Sequence, residues 1–164
     1  MFAYDPAEWT DLFVAVAGAS AALLGLLFVA VSINLERILK FEGLPERALE
    51  TLLFLVLALL ASIVGLIPGQ SHVALGLELL FVSLATAVVV LRLPTLRMED
   101  DEVEASWVIA RWAVRLAATV PFVVGAISVC VEGGGGLYWV VAGIVFALIG
   151  AVASAWVLLI EILR

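Results

Sequence analysis

The sequence predicts an all-α integral membrane protein of five transmembrane helices. Three observations carry this. The 164 residues are 65% hydrophobic and 14% charged, whereas a soluble domain is about 45–50% apolar and about 25% charged. So short a chain has too much surface for its volume to hide that excess in a core, so lipid is its solvent. Second, the apolar residues fall into five runs, at 10–35, 48–67, 72–93, 107–131 and 137–162. Third, a five-span threading gathers every lysine and arginine on one side of the bilayer.

Each run is close to the ~20 helical residues that cross ~30 Å of hydrocarbon, and a helix satisfies its own backbone polar groups where lipid offers no partners. Span one follows Asp5, Glu8 and Asp11 instead of a basic leader, and it exceeds the ~7–15 apolar residues of a signal peptide, which predicts a retained span. Pro45 stands ahead of span two, where a first-turn proline is favourable. Pro68-Gly69 stops that helix before span three. Span four follows the acidic run "MEDDEVE" at 98–104, and "GGGG" at 133–136 turns the chain into span five. The segment "GASAALLGLLFVAVSINLERIL" resembles small bacterial membrane proteins, which implies a bacterial cytoplasmic membrane.

Arg37, Lys40 and Arg47 lie between spans one and two. Arg92, Arg97, Arg111 and Arg115 lie around the connection from three to four, and Arg164 ends the sequence. The other side carries Asp5, Glu8, Asp11 and Glu132. The positive-inside rule then places the N-terminus outside and the C-terminus in the cytoplasm. Phe2, Tyr4, Trp9, Tyr138 and Trp139 fall at the outer interface, and Trp107, Trp112 and Trp156 near the inner one, as aromatic belts require. The chain reads as a single transmembrane domain over residues 1–164.

In lipid, close backbone approach at small residues drives helix association. Span one carries the stripe Asp11, Ala15, Gly18, Ala22, Gly25, Val29, Ser32, Glu36. Span five carries Gly143, Ala147, Gly150, Ser154, Val157, Glu161, and span two offers Ala58, Ala61 and Gly65. Two long stripes exceed what one small bundle uses, which points to a homo-oligomer; a monomeric bundle is the alternative. Pro121 removes a backbone bond to Ala117 and predicts a kink in span four, eased by Gly125.

The charges within spans are the candidate functional residues. Arg111 and Arg115 are one turn apart on one face of span four, and Arg115 lies roughly 12 Å into it. An arginine costs about 2.5–3.5 kcal/mol at the membrane centre and less near an interface. Snorkelling accounts for Arg111. For Arg115 two readings stand: a structural salt bridge with Glu161, Glu50 or Glu36, helped by Asn34 and Ser32, or a wet cytoplasmic vestibule that gathers anions around an oligomer axis. Glu78 lies about 9 Å inside span three, either a protonated hydrogen-bonded acid or a proton- or cation-handling group. His72 sits near the outer surface. The acidic run at 98–104 suits a helix N-terminus and does not match a calcium loop.

One cysteine, Cys130, and one histidine rule out a disulfide within the chain and most zinc or di-iron centres. "GGGG" lacks the lysine and hydroxyl of a phosphate loop, no serine–histidine–aspartate set can be assembled, and the acidic balance disfavours nucleic acid. No catalytic constellation, metal site or cofactor motif is expected. Partners reduce to the lipid bilayer, further copies of the chain and small ions. The functional expectation is an oligomeric channel for small ions, anion-favouring through Arg111 and Arg115. The alternatives are an accessory membrane protein acting through helix contacts with a partner, and a lipid-active enzyme using Glu78 or the Arg111, Arg115 and Glu161 set.

Overall fold

The computed structural model describes the backbone of residues 2–41, 43–93 and 105–163, and side chains over the same residues except 105–107 and 157–163. The acidic run at 98–104 lies outside the described residues, as do the side chains of Trp107, Val157 and Glu161. The described chain is helical and contains no strand. A 3-10 turn, Pro6–Trp9, leads into α1 (Thr10–Ile33). A short α2 (Leu35–Ile38) follows, then α3 (Leu44–Gly65), α4 (His72–Arg92), α5 (Ala105–Val131) and α6 (Leu137–Leu163). Five helices are long and apolar enough to cross a membrane.

The boundaries follow local chemistry and differ from the expected spans by two residues or more at the end of α1, at both ends of α3 and at the start of α5. α1 stops at Ile33, two residues early, where Asn34 leaves the helical region at φ −103° and ψ 14°. α3 begins at Leu44 and not at residue 48, because Gly43 supplies a left-handed turn at φ 80° and Pro45 lies in the first turn; proline lacks only an N–H that a first turn leaves unpaired anyway. Ser71 caps α4 by accepting from the Ala74 N–H at 3.2 Å. The helix α5 is continuous through Pro121. Gly125, one turn on, lets α6 approach: a Cβ there would lie 2.8 Å from a Val140 methyl carbon.

Helices α3, α4, α5 and α6 form a ring in which each packs on its two neighbours, and α1 lies outside it against α3. The core of the ring is Phe54, Leu57, Leu75, Phe122, Val129 and Val140 with their neighbours, all nearly inaccessible. Small residues on α3 and α6 make that packing tight. Ala58 and Ala61 are buried, and a Cβ on Gly65 would meet the Phe13 ring. On α6, Ala147 is fully buried. A Cβ on Gly143 would stand 2.6 Å from the Phe122 ring, and one on Gly150 would stand 3.2 Å from Val114 and 3.5 Å from Phe54. The α6 stripe from Gly143 to Gly150 is therefore consumed inside the chain.

The α1 stripe is not. Phe13, Val16 and Ser20 turn inward to α3, and at 100° per residue the stripe from Asp11 to Val29 lies on the opposite face. Asp11, Ala15, Gly18, Ala22, Gly25, Val29, Ser32 and Glu36 are all exposed, and a Cβ on Gly18 or Gly25 would meet nothing within 4 Å. Only 17% of the α1 apolar window is buried, against 56% for α3.

At the end of the bundle where α1 ends and α3 begins lie Arg37, Lys40 and Arg47, and α4 delivers Arg92 there; we call this the basic end. The opposite, acidic end is closed by the N-terminal segment. Ala3 O accepts from the Leu137 N–H at 2.8 Å, Tyr4 Oη accepts from the Gly135 N–H at 3.2 Å, and Trp9 packs edge-on against Tyr138 with centroids 4.7 Å apart. The "GGGG" turn is built for this contact. Gly134, Gly135 and Gly136 all have positive φ, and a Cβ at Gly136 would overlap Ala3 O.

Candidate functional site

The charged residues of α3 and α5 meet near the basic end, across the diagonal of the helix ring. Glu50 sits in the second turn of α3, on the buried face that continues through Phe54, Leu57 and Ala61. Arg111 and Arg115 project from successive turns of α5. Arg115 forks onto Glu50: its Nε donates to Oε1 at 3.0 Å and its Nη2 to Oε2 at 2.9 Å. Its Nη1 donates to the Leu93 carbonyl at 3.2 Å, where α4 has ended and backbone oxygens are left over. The guanidinium carbon stands 5.7 Å from the Trp112 ring centre. Arg111 donates from Nη2 to Glu50 Oε2 at 3.2 Å. The side chains of Arg115, Glu50 and Arg111 are 0%, 5% and 13% exposed.

This arrangement answers the problem that two arginines on one helix face pose. Like charges there repel unless an anion lies between them, and Glu50 is that anion. A bidentate carboxylate–guanidinium pair is strong and directional. Buried among apolar helices, it is costly to break from either side. The cluster ties three elements together: α5 to the start of α3 and to the end of α4. One turn further along α5, Thr119 donates to the Arg115 carbonyl at 2.7 Å, so its hydroxyl is satisfied within its own helix.

The other sequence candidates lie elsewhere. Ser32 and Asn34 donate back to the Phe28 and Ala30 carbonyls at 2.8 and 2.9 Å and stay in their own helix, away from the arginines. Glu36 is on the exposed α2 turn. Glu161 is on α6, with its side chain outside the described residues. At the acidic end Glu78 is exposed and accepts from Gln70 Nε2 at 2.7 Å, so Gln70 folds back over the first turns of α4. His72 Nδ1 stands 2.9 Å from Glu132 Oε1, joining the start of α4 to the end of α5, and does not meet Glu78 in a hydrogen bond. Cys130 lies against Gly76, with its Sγ 3.9 Å from the Val73 carbonyl. Among the described residues, no three His, Cys, Asp or Glu side chains gather as a metal ion would require.

Sequence reasoning puts Glu161 first as the partner of Arg115, with Glu50 and Glu36 as further candidates, whereas the structure pairs it with Glu50. Span two is apolar nearly all round, so nothing in the sequence sets the Glu50–Phe54–Leu57–Ala61 face apart; its burial is decided by packing. The Leu93 carbonyl and Gln70 were not considered. Gln70, next to the N-cap Ser71, was legible as a side chain placed to reach back along α4.

Two apolar grooves mark the outer surface. One runs between α1 and α3, lined by Leu24, Gly25, Phe28, Leu52 and Val56, and the other along α6 beside Ile149, Val152 and Trp156. Comparison of the chain with protein-family models, curated proteins and solved structures finds no match.

Proposed function

We propose that this protein is the subunit of a homo-oligomeric membrane channel for small ions, assembled through the outward face of α1. The observation that carries the reading is the unused α1 stripe. Its small residues permit the close backbone approach that associates helices in lipid, and among the described residues the chain buries the small residues of α3 and of α6 from Gly143 to Gly150 but not those of the α1 stripe. A second copy is the occupant that needs no further component. In this reading the basic end faces the cytoplasm and the N-terminus lies outside, in a bacterial cytoplasmic membrane.

The ring of α3 to α6 is filled by side chains, so the ion path runs between subunits along the symmetry axis, beside the packed α1 faces. Asp11 stands near one end of that face and Glu36 near the other, which favours cations by rings of acidic side chains. The arginine-lined vestibule expected from the sequence gains no support from the cluster geometry, since Glu50 holds Arg115 out of reach of water. A structural part for that cluster fits better.

Flux from liposomes containing purified protein tests the proposal. Potassium flux above that of empty vesicles, exceeding chloride flux and reduced by Asp11→Asn with Glu36→Gln, is the expected result. A monodisperse monomer in mild detergent and in bilayers would overturn it. A stable oligomer silent at every pH and voltage would transfer the α1 face to the accessory reading, in which the helix contacts themselves are the function.

A further inference from the structure

We propose that Arg111 is a phosphate-binding residue, which together with Trp112 holds the phosphate group of an anionic phospholipid at the basic end of the bundle. The inference stands on the unequal division of Glu50. Arg115 takes both carboxylate oxygens, at 3.0 and 2.9 Å, and is fully enclosed. Arg111 shares Oε2 through one nitrogen at the longer distance of 3.2 Å and keeps 13% of its side chain exposed.

A guanidinium carries five N–H donors in a planar fork. Arg111 commits one of them to Glu50 among the described residues, in a setting too apolar to leave a cation half-compensated without cost. The planar fork matches two phosphate oxygens as well as it matches a carboxylate. Trp112, next in sequence, is 38% exposed, as an indole lying at headgroup level should be. Arg92 is exposed at the end of α4, one residue before the carbonyl that Arg115 holds, and adds a second positive charge to the basic end. Basic groups beside a bilayer attract anionic lipid. The buried Arg115–Glu50 pair then acts as the fixed wall of the site, and Arg111 as its mobile donor. Free phosphate offers the same chemistry, and the experiment separates the two sources.

Full-length protein in mild detergent is titrated with phosphatidylglycerol, with phosphatidylcholine, or with inorganic phosphate, and read by native mass spectrometry for retained adducts and by thermal shift. The expected result is one phosphatidylglycerol retained per chain in preference to phosphatidylcholine. Arg111→Gln weakens retention about tenfold, as loss of a charged hydrogen bond implies. Arg111→Lys, with the charge but not the fork, falls between, and Lys40→Gln at the same end leaves retention unchanged. A thermal shift with inorganic phosphate that depends on Arg111, without lipid preference, assigns the same site to the free anion. Equal retention of both lipids by the wild type with no phosphate shift overturns the proposal, whatever the variants do. So does a loss in Lys40→Gln equal to that in Arg111→Gln, which would reduce the effect to diffuse charge.

Discussion

Replacing Glu50 by glutamine tests the charged cluster most directly. The substitution keeps the side-chain shape and one acceptor oxygen but removes the charge facing Arg115, and it turns the Oε2 or Oε1 contact into a clash of donors. Arg115 is 0% exposed and cannot move its charge to water without opening the contact between α3 and α5. Breaking a buried ion pair from one side costs about 3–5 kcal/mol. Folded chains have about 5–15 kcal/mol in all, so this is a large share. At about 2–4 °C per kcal/mol for a chain of this size, Glu50→Gln should lower the midpoint of thermal unfolding by roughly 6–20 °C, followed by circular dichroism in a fixed detergent. The double variant Glu50→Leu with Arg115→Met removes the buried pair and fills similar volume, but leaves Arg111 without its Glu50 contact, so it should recover part of the loss. A thermodynamic cycle over the two positions then gives a coupling well above 1 kcal/mol. A Glu50→Gln midpoint within about 2 °C of the wild type, or single losses that simply add, would refute the clamp.

Three further outcomes follow from the packing. Gly143→Val forces a side chain into the Phe122 ring, which a Cβ already approaches to 2.6 Å, and should destabilise the chain by about 1–3 kcal/mol. A Cβ at Gly25 would meet nothing within 4 Å, so Gly25→Val should leave the unfolding midpoint of the isolated chain unchanged while reducing cross-linked oligomer; equal effects at the two glycines would contradict the division between used and unused stripes. Ser128→Ala removes the hydroxyl that accepts the buried Gly136 N–H at 2.7 Å and donates to the Gly133 carbonyl. It should cost about 1–3 kcal/mol through the orphaned donor and loosen the N-terminal segment, read as faster proteolysis before Thr10.

The helices themselves were legible because a membrane helix is decided segment by segment. Whether residues 72–93 can lie in hydrocarbon depends on their own side chains and on their ability to close their own backbone bonds. The misplaced α3 start shows where that logic weakens: Gly43 and Pro45 extend the helix through a polar stretch that hydropathy alone excludes.

The sequence by itself determined the five helices, the alternation that brings Arg37, Lys40, Arg47, Arg92 and Arg111 to one end, and the presence of two long small-residue stripes. Only the tertiary structure decided that Arg115 pairs with Glu50, that the α6 stripe is internal from Gly143 to Gly150 and that the α1 stripe faces away from the bundle. The physical reason is rotation. A helix in lipid is nearly as stable whichever face it turns inward, since apolar side chains gain little by leaving lipid for protein. Which face is buried is therefore set by contacts between helices distant in sequence, such as Phe13 on Gly65 and Phe122 on Gly143, and no periodicity within one helix contains them.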